Sequence, residues 1–273
     1  MNKKYKIILI TLLLIILAIC IFKTLDERNK SNITITKESD NSSQTIDLSY
    51  ETRTLSPSDL YVKFDVTYPY FKQASEEFNS IILNLLEEQI VDNKNTSTEN
   101  WQARYQAQSE DENISEYPTD DEKFYFSSSF DVAQNNSDYI SFILTSSGYT
   151  GGAHGYEIKT AFNYDVINQK IISLKDIFSD YPNYLNYISE ESRKILKGQY
   201  ATVTEEDRGD SESEEAVQDY IDNMNEMIDS GTEPTEDNFK NFTFTSNKIK
   251  IYFAQYQVGP YAIGEPEVEL ERR

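Results

Sequence analysis

The spacing of hydrophobic positions changes along the chain and predicts its first elements. From Leu60 to Thr67 apolar and polar residues alternate strictly, which is typical of a strand with one buried face. Pro69 is expected to end this strand. From Ala74 to about Ile90 apolar residues recur every three or four positions, which predicts an amphipathic helix covering the sheet. Between Asp92 and Asp121 the pattern is lost, and we interpret this stretch as a long connection with room for one short helix.

The rest of the chain predicts further strands and two more helices. The strands are expected at Lys123–Val132, Tyr139–Ser146, Tyr156–Val166, Lys170–Leu174, Phe239–Thr245 and Lys248–Gln255. The helices are expected at Tyr181–Lys197 and Glu214–Ile228. Because strands and helices come in blocks without regular βαβ alternation, the predicted fold class is α+β, with a mainly antiparallel sheet covered by amphipathic helices.

The N-terminus has the pattern of a membrane anchor. Lysines precede an apolar run over residues 7–22, which is at the short end for a membrane span. Ile19 and Cys20 are not the small residues that a signal peptidase prefers, so we expect an uncleaved single-pass transmembrane helix. The lysines place the C-terminal region outside the cytoplasm. A lipoprotein modified at Cys20 and a cleaved secreted protein are the alternatives.

Composition shifts divide the chain into four predicted parts. Residues 1–25 form the anchor and residues 26–44 a polar stalk. Residues 45–135 form a first α+β domain of strand, helix and strand, and residues 136–273 form a second α+β domain.

The chain is strongly acidic, with 47 Asp and Glu against 25 Lys and Arg and a formal net charge of -22. Such a field repels nucleic-acid phosphates and attracts cationic partners, so nucleic-acid binding is excluded. Solubility alone is the other explanation for the charge. The one cysteine, Cys20, leaves the globular region without a disulfide or a thiolate nucleophile.

A glycine-rich loop carries the only histidine of the chain. Gly151, Gly152 and Gly155 surround His154 and allow sharp backbone turns that other residues avoid. The functional hypothesis is that His154 and these glycines bind a ligand. The alternative is that His154 pins the loop by a hydrogen bond to a neighbouring backbone carbonyl.

A second motif lies near the C-terminus, from Tyr256 to Pro266. Its glycines and prolines predict a turn, and Tyr256 and Tyr261 supply amphipathic rings that are further candidates for ligand binding. The alternative is that these residues only form the turn and part of the core.

The sequence favours a protein that is not an enzyme. No nucleophile elbow, P-loop or paired-cysteine metal site occurs, and a single histidine argues against zinc. We therefore expect no cofactor and no metal. The acidic stretch from Thr204 to Glu215 is interpreted as a solvated loop. The alternative is an enzyme that modifies cell-wall polymer with carboxylates and His154.

Several motifs in one order carry a resemblance over nearly all of residues 45–270. They are Tyr68-Pro69, Phe78-Asn79, Gly151–Gly155, Phe162–Asp165, Leu174–Phe178, Asn241–Phe244 and Tyr256–Ala262. Together they resemble the paired domains of unknown function in the extracytoplasmic half of the anti-sigma factor RsiV. The same pair is found in the N-terminal part of the peptidoglycan deacetylase PdaC.

The resemblance implies a membrane-attached extracytoplasmic module that senses or binds a ligand. Its implied partner is a cationic protein of the lysozyme type or a peptidoglycan fragment. About six residues precede the apolar run, too few for a sigma-binding domain, and no deacetylase domain follows residue 270. We therefore expect a stand-alone surface module.

Overall fold

The computed structural model describes residues 33–36, 49–108, 115–202 and 213–272, and it contains a seven-stranded sheet whose strands lie in chain order. The strands are β1 (Ile33–Thr36), β2 (Tyr50–Leu55), β3 (Val62–Phe71), β4 (Phe124–Asn135), β5 (Tyr139–Tyr149), β6 (Tyr156–Asp165) and β7 (Lys170–Ile171). Neighbouring strands of this sheet are antiparallel, except β3 and β4, which are parallel.

Helix α1 (Glu76–Gln108) makes the crossover between β3 and β4 and is much longer than the sequence predicts. The connection expected from Asp92 to Asp121 is wrong in its first half, because the helix continues to Gln108. Its buried stripe passes from Ile90 to Asn93, Ser97 and Trp101 at helical spacing. Asn93 is tolerated there because its Nδ2 donates to the hydroxyl of Tyr156 at 2.6 Å.

Pro69 does not end its strand, contrary to the expectation from sequence. Strand β3 continues to Phe71, and Pro69 pairs with Thr52 of β2. The parallel pairing with β4 stops at Val66, so no partner on that side needs an amide from Pro69.

In contrast to β3, the strand predicted at Lys170–Leu174 is shorter than expected. Strand β7 ends at Ile171, and Leu174 begins the short helix α2 (Leu174–Ile177). Ser173 and Asp176 form a capping box that starts this helix. The hydrogen bonds from Ser173 hold the pKa of Asp176 at about 2.

The C-terminal part adds the elements α3 (Tyr184–Tyr200), α4 (Glu214–Gly231), β8 (Phe242–Phe244), β9 (Lys248–Tyr252) and β10 (Glu267–Glu271). Its three strands build a second, antiparallel sheet with the order β10-β9-β8. The two helices pack on this sheet through Ile188, Leu196 and Ile228. The sequence predicted α3, α4, β8 and β9, and it missed β1, β2 and β10.

Each sheet has its own hydrophobic core. In the first, Phe78, Ile82 and Leu86 of α1 pack with alternate residues of β3–β6. The second lies between α3, α4 and the smaller sheet. The α+β class with mainly antiparallel sheets is therefore confirmed. The predicted division at residue 135 stays a prediction, although β5, β6 and β7 follow that residue and belong to the first sheet.

The predicted anchor over residues 7–22 lies outside the described residues, as do most of the predicted stalk and of the acidic loop. Within the described part of the chain, no helix is both long and apolar enough to cross a membrane. Strand β1 falls inside the range predicted as a stalk and pairs with β2.

Candidate functional site

Two of the sequence motifs meet at a buried polar joint between the sheets. Ser141 donates to Asn163 Oδ1 at 2.7 Å, and Asn163 Nδ2 donates to the carbonyl of Phe242 at 2.7 Å. The amide of Phe244 then donates to Ser141 Oγ at 2.8 Å. We call these residues, together with Asn241, the inter-sheet joint.

Asn241 completes this joint from the smaller sheet. Its Nδ2 donates to the carbonyl of Lys159 at 2.8 Å, and its Oδ1 accepts from the amide of Ala161 at 2.7 Å. The amide therefore replaces backbone pairing between β6 and the start of β8. The motifs that contain Asn163 and Asn241 therefore have a structural role, because both side-chain amides bond to groups of the protein itself.

The C-terminal motif is held in place by Gln257. Its Nε2 donates to the carbonyls of Gly231 at 3.0 Å and Asn238 at 2.9 Å. Its Oε1 accepts from the amide of Ala254 at 3.0 Å. With Gln257 fixed inward, the preceding Tyr256 takes a positive φ of 67° and stays 59% exposed.

The two candidate ligand-binding motifs come together on the surface. The ring centroids of His154 and Tyr261 lie 3.9 Å apart, and those of Tyr256 and Tyr261 lie 6.0 Å apart. The hydroxyl of Tyr261 donates to the carbonyl of Gly155 at 3.0 Å, across a separation of 106 residues. We call His154, Tyr256 and Tyr261 the aromatic surface.

His154 also pins its own loop, as the alternative in the sequence analysis expected. Its Nδ1 lies 2.8 Å from the carbonyl oxygen of Gly155, which can only accept, so Nδ1 carries a proton. In the neutral ring Nε2 is then an acceptor. The ring is exposed, so pinning the loop and presenting Nε2 to a ligand are compatible.

The three candidate glycines have different roles. Gly151 has a positive φ of 97°, and a Cβ there would lie 2.8 Å from Phe124 Cζ. Gly152 has no positive φ, and its Cβ would meet only the carbonyl of His154 at 3.9 Å. Gly155 approaches its neighbour closely, since a Cβ would lie 3.0 Å from the carbonyl oxygen of Gly148. Gly151 also lines a 460 Å³ cavity beside α1.

The aromatic surface lacks the partners of a catalytic histidine. Among the described residues, His154 makes no hydrogen bond to a carboxylate or to a nucleophilic hydroxyl. In the same part of the chain, no group of three His, Cys, Asp or Glu side chains could hold a metal ion. The arrangement fits ring stacking and hydrogen bonding with a ligand.

Sequence reasoning did not single out Asn163, Asn241 and Gln257 as separate from the ligand candidates. Asn163 and Gln257 are polar residues flanked on both sides by apolar or aromatic ones, which is a signal for a buried hydrogen-bonding group, whereas Asn241 has Phe242 on one side and Lys240 on the other. Their partners come from distant elements, so the sequence alone could not identify them.

The fold and the site can now be compared with known proteins. Residues 175–273 match the family described as "Protein of unknown function (DUF3298)", and residues 56–157 match the family described as "Deacetylase PdaC". A relative, the peptidoglycan-N-acetylmuramic acid deacetylase PdaC of Bacillus subtilis (strain 168), is 28% identical over 133 residues. That match covers 49% of this chain and 24% of the relative, so the chain spans about a quarter of its length.

One solved structure supports the fold class. A member of the DUF3298 family from Bacteroides fragilis superposes with a TM-score of 0.50 at 17% identity, covering 81% of this chain and 90% of its own. A DUF3298 family protein from Pseudomonas aeruginosa gives a TM-score of 0.46 at 13% identity, with 89% and 91% covered. The resemblance to PdaC is confirmed by the two families and the relative. The resemblance to RsiV stays a prediction.

Proposed function

We propose that this protein is a non-enzymatic binding module of the bacterial cell envelope and that its aromatic surface binds cell-wall glycan. The observation that carries the proposal is the meeting of the exposed His154 and Tyr256 with the half-buried Tyr261 in one surface cluster, although they come from motifs about a hundred residues apart. Rings of this kind offer an apolar face to the C–H side of a sugar and polar edges to its hydroxyls.

The comparisons support this setting. Domains that match this chain occur in a relative whose name gives peptidoglycan as its substrate. The predicted anchor over residues 7–22, with the globular region outside the cytoplasm, would hold the aromatic surface against the cell wall. Among the described residues, His154 bonds the carbonyl of Gly155 and has no carboxylate or nucleophile as a partner, which is the reason to propose binding without turnover.

Co-sedimentation with purified peptidoglycan sacculi tests the proposal. The full chain should pellet with the sacculi, and Tyr256→Ala with Tyr261→Ala should weaken retention by at least about tenfold, or 1.4 kcal/mol. Tyr220→Ala is the matched control, because Tyr220 is 41% exposed on α4 and lies outside the aromatic surface. Equal retention of the control and the double variant would contradict the proposal, as would release of soluble or deacetylated sugar that depends on His154.

The charge favours a second ligand class, a basic protein, with lysozyme as the first candidate from the predicted resemblance to RsiV. The net charge is -22, and Asp222, Glu226 and Glu233 line a 710 Å³ groove along α4. Such a field speeds association and is screened over about 10 Å at 0.1 M salt.

Calorimetry with lysozyme at two salt concentrations tests this second class. We expect a heat of binding at low salt and weaker binding at high salt, mainly because the on-rate falls as salt rises. Tyr261→Ala should then raise the off-rate more than it slows association, because aromatic anchors control dissociation. An absence of heat at low salt would leave the glycan as the proposed ligand.

A further inference from the structure

A cleft of about 310 Å³ lies between the two sheets, on the faces that the helices do not cover. Thr145 of β5 pairs with Lys159 of β6, and both alternate along their strands with core residues, so they lie on the sheet face opposite the first core. In the same way, Lys250 of β9 pairs with Glu269 of β10, and both lie on the face opposite the second core. The cleft is therefore built mainly from the outward-facing residues of both sheets, with Phe244 of the second core beside them.

Three lysines line this cleft together with three carboxylates, those of Asp131, Glu267 and Glu269. Lys159 Nζ lies 2.9 Å from Glu267 Oε1, and Lys250 Nζ lies 2.7 Å from Glu267 Oε2. Lys248 pairs with Glu269. Burial alone would lower the pKa of Lys159, but the hydrogen bond to Glu267 and the nearby carboxylate charges together outweigh burial and raise that pKa. Hydrogen bonds to Glu269 and Glu267 also raise the pKa of Lys248 and Lys250. All three ammonium groups therefore stay charged, and each has more N–H donors than these pairs use.

The floor of the cleft is apolar and ends in a hydroxyl pair. Ile143, Phe244 and Tyr252 line it and are 5%, 1% and 6% exposed. The hydroxyls of Thr243 and Tyr252 lie 3.1 Å apart. A small ligand entering here meets an apolar base and a rim of ammonium and hydroxyl donors, which is the usual composition of a small-molecule site.

We propose that this cleft binds a sugar unit that carries one carboxylate. The lysine donors select for a carboxylate, and the hydroxyls and apolar floor fit a pyranose ring. The net charge of -22 repels a polyanion and so favours a ligand that carries a single negative charge. The volume is at the lower end for small-molecule pockets and fits one or two rings. The inference deepens the proposed function and rests on it for the glycan class.

The competing explanation is that the ion pairs only tie β6, β9 and β10 together. Cross-strand ion pairs of that kind need no cavity beside them, and exposed ones contribute little stability. A structural role alone predicts no acid-specific binding and a change only in stability when a lysine is replaced. The two explanations therefore separate in a binding experiment.

The test is calorimetry of the full chain with two matched pairs of sugars, N-acetylmuramic acid with N-acetylglucosamine and glucuronic acid with glucose. We expect the acid to bind at least about tenfold more tightly than its neutral partner in at least one pair. Binding in the first pair alone identifies the carboxylate of a wall sugar, and binding in both identifies acidic sugars in general. Equal binding of acid and neutral sugars, or no binding of any, would overturn the proposal.

Lysine variants tie the binding to the cleft. Lys248→Gln and Lys250→Gln should each weaken binding of the acid by at least about tenfold, and Lys240→Gln, an exposed lysine outside the cleft, should not. Two cleft variants are used so that one remains if the other unfolds, and thermal melting checks both. Unchanged affinity in a folded cleft variant would refute the site.

Variants of the aromatic surface separate this proposal from the proposed function. Tyr256→Ala with Tyr261→Ala should remove retention on sacculi and leave binding of the acidic sugar unchanged. Retention on sacculi without any acid-specific binding would overturn the cleft and keep the proposed function. Acid-specific binding without retention on sacculi would overturn the proposed function of the aromatic surface and keep the cleft.

Discussion

The inter-sheet joint and the aromatic surface connect the same two parts of the chain in opposite ways. At the joint, Asn163 is buried and Asn241 is half-buried, and their amides reach backbone or hydroxyl partners on both sides. At the aromatic surface, Tyr261 and His154 share the carbonyl of Gly155, and His154 and Tyr256 remain exposed to solvent while Tyr261 is half-buried.

This difference separates structural motifs from binding motifs. A buried polar group costs stability unless it is paired, so the complete pairing at the joint is what a structural role requires. Exposed rings gain nothing for the fold from their outer faces, and those faces remain for a ligand. Residues from both kinds of motif carried the same resemblance in the sequence, and only their surroundings distinguish them.

The largest expected effect is at the joint, with Asn163→Ala. The change leaves the carbonyl of Phe242 buried without its donor and removes the acceptor of Ser141. We expect the free energy of unfolding to fall by about 2–4 kcal/mol in urea titrations, because buried groups lose their partners. Asn186→Ala, at an exposed asparagine of α3, is the control and should change it by less than about 0.5 kcal/mol. Similar losses for both variants would mean that the joint is not a structural element.

Two adjacent glycines give the next largest effect, at the base of the aromatic surface. Gly151→Ala should cost about 1–3 kcal/mol, because the residue has a positive φ and its Cβ would touch Phe124. Gly152→Ala should cost less than about 0.5 kcal/mol, because its Cβ enters open space. Thermal and urea unfolding of both variants measures the difference. The reverse order would show that the loop has a different backbone conformation.

A smaller effect is expected for Tyr261→Phe, which removes the hydroxyl and keeps the ring. Loss of the hydrogen bond to Gly155 should lower the unfolding free energy by about 0.5–1 kcal/mol. Retention on sacculi should persist if stacking dominates, and it should fall only with Tyr261→Ala. If Tyr261→Phe alone abolishes retention, the hydroxyl contacts the ligand and the ring is not the main anchor.

Periodicity predicted most of the fold, and its failures have local causes. Strands β3 to β6 and helices α3 and α4 were predicted because their apolar positions repeat regularly. The C-terminal half of α1 was missed because Asn93 and Ser97 occupy its buried face, and the partner of Asn93 is on β6. Strand β10 alternates Val268 and Leu270 with glutamates, a pattern typical of a half-buried strand, so the sequence does contain a signal for it.

The candidate site was predictable residue by residue but not as an assembly. Glycines, a single histidine and paired tyrosines made His154 and Tyr261 candidates from sequence. Their contact depends on how β5, β6 and the smaller sheet pack, which no local pattern encodes. The cleft lysines show the same limit, since Lys159 meets Glu267 only through the packing of the two sheets.

The smallest expected effect is pH-dependent and concerns Glu265, a carboxylate close to Lys159 and Glu267. Burial raises the pKa of Glu265, and its Oε2 is buried without a hydrogen-bond partner among the described residues. The folded state therefore holds this proton to a higher pH than the unfolded chain, whose glutamates have a pKa near 4.5. Stability from this group is complete below that value and is lost as pH rises through the folded pKa.

Glu265→Gln should consequently stabilise the protein at pH 7 by less than about 0.5 kcal/mol, with the gain vanishing below about pH 4. Urea unfolding of both proteins at the two pH values measures it. Glu190→Gln, on the exposed side of α3, corrects for removing one charge from an acidic chain. A gain at Glu265 that equals the control, or that persists at pH 4, would show that the buried carboxylate has no cost of its own.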